Sequence, residues 1–278
     1  VAVLAHLDCS QNDAITGKRS RDNDGAAPWI DGEQLDGWIA MCSSLSNSSI
    51  TSLNFSACGL NPKSLTPLAD AIKLMAVLTT LRCGSNPGMV GELYPSGNLK
   101  TPDVHIEALQ ELLNALKPSG VTELDISAIG IGPKGADHVA DYVRDARAVL
   151  KKVALSQNKL FGADEFGDHN VDADQSGWAA LCDALPGSPV EELDVADVGM
   201  GVKGVTSLAK AMSAGAVLEV LAIGANPIGS EGGSILVEVV KTSNLKVIDI
   251  GKPLPIQEPY DAEALDLSKT EMGPGQVV

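Results

Sequence analysis

The residues best suited to chemistry lie in an acidic stretch, FGADEFGDHNVDADQS, at positions 161–176. Its second half, NVDADQS, alternates oxygen-bearing side chains in the manner of a calcium loop. An EF-hand loop has Gly at its sixth position and Glu at its twelfth, whereas counting from Asn170 gives Gln175 and Leu181. We therefore expect a solvated acidic loop, with no bound metal and no cofactor. The acids concerned are Asp164, Glu165, Asp168, Asp172 and Asp174.

Cysteine and histidine provide a second set of candidates. The phrase GWIAMCSSL, from Gly37, returns as GWAALCDAL from Gly177, which could mark a duplicated active site, a redox pair or a metal site. The sequence has no Gly-rich phosphate loop and no nucleophile elbow. Its histidines form no spaced metal pair with one another or with Cys. These are His6, His105, His138 and His169. We therefore expect that the protein is not an enzyme.

Charge and hydropathy favour a protein partner over nucleic acid or a membrane. The 278 residues carry a formal net charge of -16, which disfavours nucleic acid because phosphate is held by Lys and Arg. The same charge favours a protein partner with a basic surface. No apolar run reaches the roughly 18 residues needed to cross a bilayer, so we expect no membrane insertion.

A short sequence motif is repeated along the chain, and it predicts the strands and helices that must position these residues. Its period of two around a central apolar residue predicts a short strand with one buried face. Helical spacing follows most copies, as in SLTPLADAIKLM from Ser64. Strand and helix alternate, which predicts an α/β fold with a parallel sheet on one side and helices on the other. The copies begin at Leu4, Ile50, Leu78, Val121, Leu150, Val190, Leu218, Leu245 and Ala262.

These phrases resemble the leucine-rich repeat. Leu53 and Leu81 are 28 residues apart, and alternate copies end in Asn, as in the ribonuclease-inhibitor-like subfamily. The resemblance implies a horseshoe-shaped solenoid of about nine repeats, with a parallel β-sheet on its concave face and helices on its convex face. We expect the Asn side chains to satisfy backbone groups of their own turn and of the next unit. These are Asn12, Asn86, Asn158 and Asn226.

The helices explain the repeated Trp–Cys phrase. The segment ALQELLNAL, from Ala108, occupies the same place before its strand, with Leu109 for Trp and Leu113 for Cys. A reactive site would not tolerate both replacements, whereas a core face would, so the phrase predicts a buried helical stripe. The cysteines all fall in predicted core positions, which indicates free thiols and an intracellular, cytoplasmic location. They are Cys9, Cys42, Cys58, Cys83 and Cys182.

Two surfaces are candidates for binding a partner. The concave face, which members of the family commonly use to hold proteins, presents Arg82, Glu123, Asp125, Lys152, Glu192 and Asp194. Insertions near 13–34, 87–104 and 161–176 are rich in Gly, Pro, Asn and Asp, which predicts long loops along one rim. The candidates on that rim are Lys18, Arg19, Arg21, Tyr94, Asp164, Glu165 and Asp168.

We expect one solenoid domain over 1–278, within a longer protein, because neither end carries a capping element. Only 17 residues separate Ile248 from Leu265, so we expect extended chain instead of a helix on the convex side there. The expected function is a non-catalytic protein–protein interaction scaffold, as a subunit of a larger assembly. The alternatives are a GTPase-activating or GTPase-regulating protein, resembling the Ran GTPase-activating protein family, and the sensing domain of an innate-immune-type receptor.

Overall fold

The structure, a computed structural model, describes residues 4–13, 15–16, 35–145 and 149–256. Short strands alternate with helices along these residues. The strands are β1 (His6–Asp8), β2 (Ser52–Asn54), β3 (Thr80–Arg82), β4 (Glu92–Leu93), β5 (Leu99–Thr101), β6 (Glu123–Asp125), β7 (Lys152–Ala154), β8 (Glu192–Asp194), β9 (Val220–Ala222), β10 (Val247–Asp249) and β11 (Pro253–Pro255). The helices are α1 (Asp36–Leu45), α2 (Pro62–Ile72), α3 (Ile106–Leu116), α4 (Pro133–Asp145), α5 (Ser176–Ala184), α6 (Val202–Ser213) and α7 (Gly229–Val240).

Nine of the described strands form one sheet, in the order β1-β2-β3-β6-β7-β8-β9-β10-β11. Neighbouring strands are parallel except β11, which is antiparallel to β10. The predicted α/β class with a parallel sheet is confirmed, and so is the register of the repeated phrase, because its central apolar residues form one row across the sheet. That row is Leu7, Leu53, Leu81, Leu124, Val153, Leu193, Leu221 and Ile248.

The described helices pack side by side, each against its neighbours in the chain, and one aliphatic core lies between helices and sheet. Trp38 and Trp178 are buried in this core. Their indole N–H groups donate to the carbonyls of Ser64 and Gly204, at 2.9 and 2.8 Å, in the following helices. The buried stripe predicted from the Trp–Cys phrase is confirmed. Its members are Trp38, Cys42 and Leu45, then Leu109, Leu113 and Leu116, then Trp178, Cys182 and Leu185.

Buried asparagines join neighbouring units. The Oδ1 of Asn158 accepts hydrogen bonds from the N–H groups of residues 129, 130 and 131, and its Nδ2 donates to the carbonyls of Ile126 and Leu155. Asn86 and Asn226 make equivalent bonds. Their structural role is confirmed with one correction: the amide reaches the preceding unit instead of the next, because the unpaired N–H groups belong to that unit's turn. Asn12, in the first described unit, is exposed.

Two segments differ from expectation. The insertion near 87–104 is more than a loop, since it contains the hairpin of β4 and β5. The chain after β10 is extended as expected but does not lie on the helix side. It turns within residues 250–252 and pairs with β10 as β11, because so short a turn returns the chain to the sheet edge before it can reach the helices. The repeat expected at Ala262–Thr270 lies outside the described residues.

Candidate functional site

The sheet register gathers the predicted polar side chains on its exposed face. Glu123, Lys152 and Glu192 lie in one row, while Arg82, Asp125 and Asp194 lie in another. These six residues are named the sheet-face site. Five of them, together with Leu124 and Ala154, line a depression of about 250 Å³; Glu192 is the sixth, beside it. The structure therefore brings together every residue predicted for this face.

Ion pairs cross the sheet-face site between adjacent strands. Arg82 Nη2 lies 3.2 Å from Glu123 Oε2, and Lys152 Nζ lies 2.7 Å from Glu192 Oε2. All four side chains are more than 40% exposed. Exposed pairs of this kind contribute about 0–1 kcal/mol. A charged partner can therefore replace them at small cost.

The two aspartates of the sheet-face site are held by hydrogen bonds. Asp125 Oδ1 accepts from the backbone N–H and the hydroxyl of Ser127, at 3.0 and 2.5 Å. Asp194 accepts from the hydroxyl of Ser156 and from the backbone N–H of Ala196. Because donors fix both carboxylates, their charges are presented at defined positions. With four carboxylates and two cations, the site has an acidic balance.

The second candidate surface is the tip of the third insertion, residues 164–168, named the rim tip. Asp164 Oδ1 accepts from the N–H groups of Phe166 and Asp168, both at 2.9 Å, which closes a tight turn. Tyr94, from the hairpin insertion, donates its hydroxyl to the Glu165 carbonyl at 2.8 Å. The structure thus brings together the predicted residues Tyr94, Asp164, Glu165 and Asp168. The predicted Lys18, Arg19 and Arg21 lie outside the described residues.

Phe166 was missed by the sequence analysis. Its side chain is 71% exposed, the largest exposed fraction among the described large hydrophobic residues. A sequence signal was available, because aromatic residues make up only 3% of the chain and Phe166 lies in a polar insertion. This signal does not tell whether the ring is buried or exposed, however, since Phe161 in the same insertion is buried against Trp178.

Two aspartates of the insertions hold helices of the following unit, which the sequence analysis also missed. Asp103 accepts from the backbone N–H groups of residues 132, 134 and 135 at the start of α4, at 2.7 to 3.1 Å. Asp172 makes the same three bonds to residues 201, 203 and 204 at the start of α6. Carboxylates satisfy the free N–H groups there and complement the helix dipole. Asp172, expected in a solvated loop, is therefore structural.

Glycines make room for these carboxylates. A Cβ on Gly132 would lie 2.6 Å from the Asp103 carboxylate, and a Cβ on Gly201 would lie 2.4 Å from that of Asp172. The helix α2 shows the alternative, because the equivalent positions there are Asn61 and Ser64, which form a capping box within the same segment. Thus α4 and α6 are capped by the preceding insertion, whereas α2 is capped by its own side chains.

His169 attaches the third insertion to the loop after β8. Its Nε2 lies 2.9 Å from Asp197 Oδ1, while its Nδ1 is buried without a hydrogen-bond partner. The hydrogen bond from His169 holds the pKa of Asp197 below its usual value. Partial burial lowers the pKa of nearby Lys159, against the opposing charges of Asp197, Asp168 and Asp164. The base of the insertion is therefore fixed by polar contacts.

The cysteines are poor candidates for nucleophilic chemistry. All five are free thiols, and four of them are buried. Burial raises the pKa of the Cys42 thiol to about 12 and also raises the pKa values of Cys58, Cys83 and Cys182. The pKa of the half-buried Cys9 is raised by burial and by the adjacent Asp8. Since the thiolate is the reactive form, these groups stay protonated at neutral pH.

Within the described ranges, no three His, Cys, Asp or Glu side chains converge so as to hold a metal ion. Of the helices in the same ranges, none combines the length and the apolar character needed to cross a bilayer.

Comparison with known proteins gives only distant likenesses. No family model matches the chain, and no curated protein sequence matches it. Among solved structures, it is similar to an enolase from Agrobacterium radiobacter, bound to sodium and L-malate, at 12% identity and a TM-score of 0.31, over 90% of this chain and 51% of the enolase. It is similar to an internalin from Listeria monocytogenes at 13% identity and a TM-score of 0.33, over 74% of this chain and 63% of the internalin.

A third similar structure is TLR13 in complex with the RNA ssRNA13, at 14% identity and a TM-score of 0.34, over 77% of this chain and 30% of TLR13. This chain spans less than two thirds of the length of each of the three proteins. At such TM-scores none of the likenesses carries an argument about function, which is therefore argued from the geometry of the described residues.

Proposed function

We propose that this chain is a leucine-rich-repeat solenoid of the ribonuclease-inhibitor-like type, forming one domain, and that it acts as a non-catalytic protein-interaction scaffold. The observation that carries the proposal is the sheet-face site, where charged side chains from four adjacent strands border one depression. A rigid sheet that presents fixed carboxylates and exchangeable ion pairs is suited to a protein surface of opposite charge. The preferred partner is therefore basic.

The sequence pattern supports the family part of this proposal. The repeated phrases take the same register in every parallel strand of the nine-stranded sheet, and the alternate asparagines make the same bonds to the unit before them. The five free thiols favour an intracellular, cytoplasmic location. Membership of a larger assembly remains part of the proposal.

The test begins with the partner. Purified chain is cross-linked in an extract of the cells that produce it, the adducts are identified by mass spectrometry, and the identified protein is prepared pure. The double variant Asp125→Lys/Asp194→Lys should weaken its binding at least about 10-fold, since reversing charges opposite a basic surface costs several kcal/mol. A matched control, Asp70→Lys/Glu238→Lys, makes the same charge change on exposed helix positions. Equal effects of the two variants would refute the sheet-face site.

A further inference from the structure

The rim tip presents an aromatic ring to solvent from a backbone that is fixed. Phe166 is 71% exposed, yet its own N–H is bound by the Asp164 carboxylate, and Asp164 N–H donates to the Asp168 carbonyl at 3.0 Å. Below the turn, Ala163 and His169 form an antiparallel bridge. The turn is thus closed on both sides of the ring.

The rim tip is also attached to the neighbouring insertion. Tyr94 binds the Glu165 carbonyl, and the backbone of Gly167 packs so closely on β5 that a Cβ there would lie 2.3 Å from the Leu99 carbonyl oxygen. Gly167 also has φ +83°, which other residues rarely adopt. Because folding already orders this backbone, a partner that binds Phe166 meets little further entropy cost. Rigid, exposed aromatic side chains are the usual anchors of protein interfaces.

Exposed negative charge surrounds the ring. The side chains of Asp164, Glu165 and Asp168 are exposed, and no described cation forms a salt bridge with them. An anionic membrane surface would be repelled by these carboxylates, and so would the same tip of a second copy. A complementary surface has an apolar pocket for the ring and cations at its border.

We propose that Phe166 is the anchor of a second interaction surface, formed by the rim tip and Tyr94, and that its partner is a folded protein with an apolar pocket bordered by Lys or Arg. This proposal rests on the proposed function in that both require a protein partner, but it uses a different surface. The sheet-face site and the rim tip can therefore fail or succeed independently.

The first experiment places the photoreactive amino acid benzoylphenylalanine at position 166 of the full chain. The control carries it at Leu74, which is 66% exposed just beyond α2. After irradiation in an extract of the producing cells, we expect a protein adduct at position 166 that the control does not give. An adduct with a second copy of this chain, an adduct with lipid alone, or no adduct above the control would each overturn the proposal.

The second experiment uses the protein identified in that adduct, in pure form. Phe166→Ala should weaken its binding about 30-fold, as expected of an interface anchor, while Phe166→Trp should restore most of the affinity and Leu74→Ala should change nothing. Glu165→Lys/Asp168→Lys should slow association and reduce its salt dependence, because both charges steer the encounter. Asp164 is kept, since it holds the turn. Unchanged binding of Phe166→Ala would refute the anchor.

The same partner separates the two proposals. If Asp125→Lys/Asp194→Lys weakens binding and Phe166→Ala does not, the sheet-face site stands and the rim tip is wrong. If only Phe166→Ala weakens binding, the rim tip stands and the sheet-face site does not bind this partner. Circular dichroism of each variant checks that the fold is retained, which we expect because Phe166 is solvent-exposed.

Discussion

Asn158 and Asp103 together satisfy every backbone N–H between residues 129 and 135. The N–H groups of residues 129, 130 and 131 donate to the Asn158 side chain, and those of residues 132, 134 and 135 donate to the Asp103 carboxylate. Pro133 has no N–H group. A buried turn of this kind is costly without such partners. Two side chains, one from each neighbouring unit, therefore determine whether this turn can be buried.

Asn158→Ala should destabilise the protein by about 3 kcal/mol, because several buried N–H and C=O groups lose their only side-chain partner. Asn12→Ala, at the equivalent but exposed position, should cost about 0.5 kcal/mol or less. Urea unfolding followed by circular dichroism measures both variants. Equal losses of stability would contradict the role assigned to burial.

Alkylation should distinguish Cys9 from the other cysteines. With iodoacetamide at pH 8, the half-buried Cys9 should react first, while Cys42, Cys58, Cys83 and Cys182 should react at least about 10-fold more slowly because burial hides them and raises their pKa values. Peptide mass spectrometry over time reports each site. In urea all five should react alike. A buried thiol that reacted as fast as Cys9 in the native protein would refute this assignment.

At the scale of elements, insertions and helices depend on one another. The carboxylate of Asp172 occupies the space that a side chain at Gly201 would fill, so the aspartate and the glycine form a matched pair. Asp103 and Gly132 form another. By contrast, α2 is capped by Asn61 within its own segment. The inserted segments therefore contribute to the packing of the repeats as well as to the surface.

A double-mutant cycle tests the matched pair. Asp172→Ala should cost about 1–2 kcal/mol, as for loss of a helix cap, and Gly201→Ala should cost a similar amount through its clash with the carboxylate. The two changes together should cost about 1 kcal/mol less than their sum, since removing the carboxylate relieves the clash. Gly37→Ala is the control, because nothing lies within 4 Å of its added Cβ. Strict additivity would contradict the proposed contact.

Asp197 should contribute a pH-dependent part of stability. Its pKa is held below the usual value, chiefly by the His169 hydrogen bond, so the stabilisation is present above the unfolded pKa of about 3.9 and is lost as pH falls through the folded pKa. The free energy of unfolding of Asp197→Asn should therefore fall below wild type near neutral pH, with the difference shrinking below about pH 4. His169→Ala should remove the same component. A difference that grew toward acid pH would reverse the assigned sign.

The sequence predicted the strands and their register because the same period-two phrase recurs along the chain, so that the row from Leu53 to Leu221 follows directly from alignment of the repeats. It did not predict the helix caps, because Asp103 meets Gly132 across 29 residues and neither residue is unusual alone. The β4–β5 hairpin lies in a segment rich in Gly and Pro that lacks a period. The exposure of Phe166 depends on Tyr94 and Leu99, in another insertion, which no local pattern reveals.

At the scale of the whole molecule, each described helix packs against the helices before and after it, and one sheet runs from β1 to β11. Stability in such an arrangement is close to a sum over units and their interfaces. Central units have two packed neighbours. A change in one unit should therefore act most strongly on the units packed beside it.

Hydrogen exchange measured by mass spectrometry should show that effects stay local. Ile248→Ala, in β10, should accelerate exchange in α7 and β10 and leave β6 unchanged, because no contact joins them directly. Uniform acceleration along the sheet would indicate a single cooperative unit instead.

The reach of Asp103 and Asp172 into the following unit has a consequence for shortening or lengthening this protein. Removing a single strand–helix unit would place an aspartate-bearing insertion before a helix without the matching glycines, or leave a glycine-started helix without its carboxylate. Removing or duplicating the two consecutive units of β6 and β7 keeps every aspartate opposite its glycine and every buried asparagine behind its turn. The smallest piece that can be added or deleted without a mismatch is therefore a pair of units, so designed variants of this chain should change length in steps of two strands.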